Sequence, residues 1–158
     1  MTDTEPGKAE CKDELARLAR ESEALTVMLI TKEGSVIAEA GDTSFLNATA
    51  MAALVAGMFT ATREVARMVG EQQFSILLQQ GEKRHIHISL VTDAAMMVIV
   101  FEDYQRIGRV RFEAKKCGET VARMLRSGRD RQRVKEDLSV VEFREYALNL
   151  IDRIFTTR

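Results

Sequence analysis

The residues able to do chemistry are few and widely spaced. His85 and His87, the only histidines, stand two apart in KRHIHISLV (83–91). Two imidazoles supply half of a zinc site, which needs three or four ligands. If the segment is a strand, alternation puts Lys83, His85, His87 and Ser89 on one face and Arg84, Ile86, Ile88 and Leu90 on the other. The neighbours offered to a metal are then an ammonium and a hydroxyl, so a solvated or interfacial strand face is the better reading.

Other reactive groups reduce in the same way. Cys11 and Cys117 lie far apart and form no C-x-x-C, which suggests reduced thiols rather than a disulfide framework or a zinc ribbon. Glu102-Asp103 pairs two carboxylates, but adjacent residues at a strand end point apart into water. The basic run Arg126, Arg129, Arg131, Arg133, Lys135 has no interleaved aromatic and is diluted by Asp130, Glu136 and Asp137, so it reads as a solvated linker and not as a nucleic-acid contact. No G-x-x-x-x-G-K-[ST], G-x-G-x-x-G, G-x-S-x-G or H-E-x-x-H occurs. The methionines fall mostly in apolar sets and fill core.

Composition agrees with that restraint. The 158 residues are 46% hydrophobic and 30% charged with a net charge of −1. That is one ordinary globular domain, large enough to bury a core without staples. The first eight residues are polar and acidic rather than signal-like, and no run approaches the roughly 18 apolar residues of a membrane span. A cytoplasmic protein with no membrane insertion is expected.

The elements that must position any site follow from periodicity. Cys11, Leu15 and Leu18 mark a first helix over about 9–23. LTVMLIT (25–31) and SVIAEA (35–40) flank Lys32-Glu33-Gly34, where Gly34 can take the positive φ of a tight hairpin. The proline-free stretch 45–71 is the clearest helix, with Met51, Leu54, Val55, Met58, Thr62, Val65 and Val69 at helical spacing. It carries a second stripe of small residues, Ala53, Ala56, Gly57, Thr60 and Ala61, suited to a close neighbour. Three strands with short turns follow, at 74–80, 84–91 and 95–103, and a helix begins near 106. Beyond it, Ser139-x-x-Glu142 is a capping box, and Leu138 and Phe143 occupy the positions of a hydrophobic staple.

The fold expected is therefore α+β, in the order α-β-β-α-β-β-β-α, with a five-stranded antiparallel sheet flanked by helices and an extra C-terminal amphipathic helix. The division expected is a flexible N-terminus (1–8), a folded domain (9–126), a polar basic linker (127–138) and the last helix (139–158).

From 25 to about 125 the chain resembles the Roadblock family of dynein light chain type. The likeness rests on LVAGMFTATREVARMVGE (54–71), Phe74, QQGEK (79–83), VIVFED (98–103) and IGRVRFEAKK (107–116). Within the family it looks most like the bacterial MglB-like regulators of small Ras-like GTPases of the MglA kind. The resemblance implies a regulator that is not itself an enzyme, with no catalytic residue, cofactor or metal. It implies a homodimer in which the edge strand near 73–80 pairs with its twin and helix 45–70 lies beside its copy, with one GTPase bound across the long helices and hydrolysis accelerated without an inserted arginine. The interface residues expected are Ala53, Ala56, Gly57, Thr60, Ala61, Glu64, Phe74, Ile76 and Leu78, with His85 and His87 as contact residues. Phe143, Leu150 and Ile154 offer a second partner surface, or a cap on the protein's own dimer. Thr60, Thr62, Arg63 and Glu64 replace the family's alanine and glycine, and the tail is longer and more apolar than the family's. Those departures keep open a second expectation, a scaffold that binds a GTPase or another Roadblock protein without stimulating hydrolysis.

Overall fold

The computed structural model describes residues 7–156, without the side chains of 130–139 and 155–156. Among them are α1 (Lys8–Ser22), β1 (Thr26–Thr31), β2 (Val36–Gly41), α2 (Ala48–Met68), β3 (Ile76–Gln80), β4 (His85–Thr92), β5 (Ala95–Phe101), a 3-10 turn (Tyr104–Arg106) and α3 (Ile107–Thr156). The expected order and sheet are both present. Most of the N-terminal segment expected to be flexible lies outside the described residues, as do the side chains of Leu138 and Ser139. By compactness the chain divides after Met124 into two units.

All strand pairs are antiparallel, in the order β2-β1-β5-β4-β3. The first hairpin closes as expected, with Gly34 at φ 97° and its N–H donating to the Thr31 carbonyl at 3.0 Å. A Cβ there would lie 2.9 Å from the Ala53 Cα, so glycine also lets this turn lie against α2. Asn47 starts α2, its side-chain oxygen accepting from the Ala50 N–H at 3.1 Å.

Register sorts the side chains into two layers. Met28 faces Val98 and Ile30 faces Met96 across β1 and β5, while Val98 faces Ile88 across β5 and β4. These residues bury against Ala52, Val55, Ala56 and Phe59 of α2, with Ile86 and Leu90 alongside. Arg84 completes that strand face, its guanidinium 4.4 Å over the Phe45 ring. The opposite parity, Val27, Leu29, Met97, Ile99 and Phe101, buries on the other side with Cys11, Leu15 and Leu18 of α1 and Val110, Ala114, Cys117 and Val121 of α3.

Two expectations are corrected here. His85 and His87 are not on a wet face. Both are buried, paired in register with Phe101 and Ile99, and the His85 ring lies 5.2 Å from the rings of Phe101 and Tyr104. The cause is α3, which covers the strand face that alternation alone leaves open. The stretch 127–138, expected as a linker, is helical and falls within α3. Its arginines, Lys135 and Glu136 are good helix formers and no proline interrupts them, so a polar run there is compatible with a helix and does not require a loop.

His87 has neither ring nitrogen hydrogen-bonded. Burial, and then the Arg111 charge, pull its pKa down to about 4 from an ordinary 6.5. The folded state thus resists the proton that the unfolded chain accepts, so stability present at neutral pH is lost as pH falls from about 6.5 towards 4, by about 1–3 kcal/mol. His87→Leu is expected to flatten that part of the curve of urea midpoint against pH; unchanged acid sensitivity in the variant would remove His87 as its source.

Candidate partner-docking surface

α2 lies on the sheet with three alanines, a valine and a phenylalanine inward: Ala52, Ala56 and Ala66 are buried together with Val55 and Phe59. Other large apolar residues point out, Leu54 at 75% and Met68 at 85% exposure, with Val65 and Val69 also exposed. This reverses part of the sequence reading, which placed Leu54, Val65 and Val69 with the core and Ala56 in the interface stripe. The β-branched and methionine side chains of β1, β4 and β5 fill the space between sheet and helix, leaving room at closest approach for alanine.

Two adjacent lanes therefore run along the outside of α2. One is Leu54, Met58, Ala61, Val65 and Met68, spaced four, three, four and three, the spacing by which one helix seats against another. The other is Ala53, Gly57, Thr60 and Glu64, all exposed. Met58 marks the side on which the first lane lies: its sulfur accepts from the Gln79 Nε2 of β3 at 3.2 Å. The apolar lane is thus on the flank of α2 towards β3, and the small lane lies beside it, further from that edge. A Cβ at Gly57 meets nothing within 4 Å. Thr60 and Thr62 turn their hydroxyls back to the Ala56 and Phe59 carbonyls at 2.9 and 2.7 Å. Glu64 pairs with Arg67 at 2.9 Å, an exposed pair that orders the surface without holding the fold.

β3 is an edge strand, bonded only to β4. Ile76 is exposed and Leu78 half-buried opposite His87, while Leu77 turns to the α2 side. Phe74 is half-buried just before the strand. An edge offering free backbone groups beside Ile76 is a pairing template unless something covers it.

The remaining sequence candidates are spent elsewhere. Cys117 is buried, its thiol pushed up to about 12 by burial first and then by Glu14, so it stays protonated at neutral pH. Cys11 is raised in the same sense. Among the described residues no group of three His, Cys, Asp or Glu is placed to hold a metal. Glu113, which no motif singled out, is buried on α3 between Arg109 at 3.2 Å and Arg17 at 3.8 Å and ties α3 to α1. In the second unit Phe143, Leu150 and Ile154 are exposed with Val140, and Ala147 between them is half-buried.

The Roadblock/LC7 domain profile matches residues 12–101. The chain belongs to the Roadblock/LC7 family. Among solved structures it is similar to Myxococcus xanthus MglB, at 26% identity and a TM-score of 0.74 over 81% of this chain and 95% of that one. It is also similar to the gliding protein MglB of Thermus thermophilus, at 27% identity and a TM-score of 0.68 over 78% and 93%. A Roadblock/LC7 domain from Streptomyces avermitilis shares the fold at 15% identity and a TM-score of 0.63, over 72% and 96%. No curated protein matches the sequence. The family and the MglB-like fold expected from the sequence are thus both found, and they support a Roadblock-type regulator.

The exposed lanes allow a separation of effects. Val65→Glu, a surface change away from the core, keeps the far-UV circular dichroism of the folded chain, and Gly57→Arg, in open space, keeps the fold as well. Val65→Glu is expected to shift the chain to monomer in sedimentation, while Gly57→Arg abolishes partner binding or the dimer. Wild-type behaviour in both assays for both variants would remove α2 as a contact surface.

Proposed function

We propose that the protein is a homodimeric, MglB-like activator of a small Ras-like GTPase, docking through α2, and that it has no catalysis of its own. The observation that carries this reading is the outer side of α2, a helix-pairing lane on the β3 flank with a lane of small residues beside it. An isologous pair would cover the β3 edge with its twin and lay Leu54, Met58, Ala61 and Val65 against their copies in one operation. Ala53, Gly57, Thr60 and Glu64 would remain beside that seam as a shallow surface, low enough for the switch region of a folded partner to approach. Likeness to the MglB proteins of two bacteria and membership of the Roadblock family support the same assignment.

Acceleration requires only selective binding. A regulator that prefers the GTPase conformation with its catalytic groups in place shifts the population towards that state and raises the rate. Such selective binding needs no inserted arginine, and Arg67, beside the small lane, pairs with Glu64. The scaffold reading shares every surface and differs in one respect, equal affinity for the reactive and unreactive conformations. Thr60 and Glu64, polar where the family keeps alanine or glycine, are the residues that favour it.

Single-turnover phosphate release from the cognate GTPase, with and without this protein, decides between them. The expected result is a rate increase of tenfold or more that Gly57→Arg abolishes, corresponding to about 1.4 kcal/mol of preference for the reactive state. Intact binding with an unchanged rate would leave the scaffold in its place.

A further inference from the structure

The first unit carries a second unpartnered surface, on α3 and on the side of the sheet away from α2. The cations at and just before the start of α3 divide into two sets. Arg106 and Arg109 point to α1 and are paired, Arg106 with Glu23 at 2.5 Å and Arg109 with Glu21 at 3.3 Å and Glu113 at 3.2 Å. Arg111, Lys115, Lys116 and Arg123 are exposed and have no ion pair among the described residues. At 100° per residue the four fall within about 140° of arc and extend over about 18 Å of helix. Phe112 stands among them at 62% exposure, while the helix's other apolar residues in this unit, from Val110 to Val121, are largely buried. One carboxylate, Glu119, shares the face, so four cations stand against a single acid.

We propose that this face of α3 is a peripheral membrane contact, seating on a bilayer of anionic lipid with Phe112 at headgroup depth. Charge complementarity selects a negative surface, and the shape of the face selects a flat one. The outer side of a helix meets a flat surface along its whole length, and a lone aromatic cannot stack successive bases of a nucleic acid. A charged sheet with an apolar interior needs only cations and one apolar side chain aimed the same way. Binding through one such face is weak, reversible and sensitive to salt. It involves a single protomer's surface and needs no dimer; the added consequence, that α2 stays open to a partner while α3 is seated, rests on the function proposed above.

The test is co-sedimentation of the full chain with large unilamellar vesicles of phosphatidylcholine alone or mixed with phosphatidylserine. The protein is expected to pellet with the mixed vesicles only, and to be released as salt rises and the Debye length falls from about 10 Å to about 3 Å. At about fivefold per cation, K115Q/K116Q lowers the partition by about 20-fold or more, with its helical circular dichroism unchanged. Phe112→Ala weakens binding without altering its salt dependence. Equal pelleting with neutral vesicles, no pelleting with mixed ones, or wild-type partition of K115Q/K116Q would overturn the proposal, as would capture by DNA or an acidic protein in the absence of vesicle binding. Because none of these readouts involves nucleotide hydrolysis, their failure leaves the GTPase reading where it stood.

Discussion

A five-stranded sheet spans about 24 Å at ~4.8 Å per strand, whereas one helix is about 10 Å across. That mismatch governs the rest of the structure. On one side α1 and α3 lie together and nearly match the sheet's width, so β4 can bury two histidines there. On the other side a single α2 covers the middle of the sheet and leaves β3 at an open edge. A face half-covered by its own chain leaves room for a partner, and α2 carries the apolar lane on the flank beside that room. The dimerisation and docking proposed for this side are two solutions to one deficit of covering surface.

The covered side is held differently. Glu113 is buried between α1 and α3, and a buried carboxylate is tolerated because Arg109 and Arg17 stand within ion-pair distance. Arg106 and Arg109 reach Glu23 and Glu21 at the end of α1, so these pairs fix how α3 leaves the sheet. Beyond them, the next cations along α3 share their face with a single acid, Glu119, and lie outward. The basic outer face follows from a fold that places most of the acids near α3 on its α1 flank.

Much of this was legible in the sequence, and what was not legible has a physical cause. Alternation located the strands and their two parities, Gly34 located the first hairpin, and Arg84, Ile86, Ile88 and Leu90 share a face as expected. Alternation cannot say which parity is wet. His85 and His87 are buried by α3, more than twenty residues later in the chain, and that contact is invisible to any local pattern. Helical periodicity found α2 but ranked its faces by hydrophobicity, and so sent Leu54, Val65 and Val69 inward. Close approach of a helix to a sheet selects small residues, which is why Ala52, Ala56 and Ala66 took those places. The polar run at 127–138 misled for a related reason, since charge density reports contact with solvent and not whether the backbone is helical.

The placement of reactive groups fits a protein that works through its surfaces. Cys117 and His87 are held in their neutral forms by burial, the thiol pushed up to about 12 and the imidazole down to about 4. Both states suit packing, because a neutral group can be covered by Val121 or Ile99 at far less cost than a charged one. Among the exposed residues, two helix faces stand out: Leu54, Val65 and Met68 on α2, and Arg111, Phe112 and Lys115 on α3. Groups on such faces act by choosing what comes to rest against them. The two sides of the sheet therefore differ in chemistry, apolar and small residues on the outside of α2 and cations on the outside of α3, and the sheet lies between them.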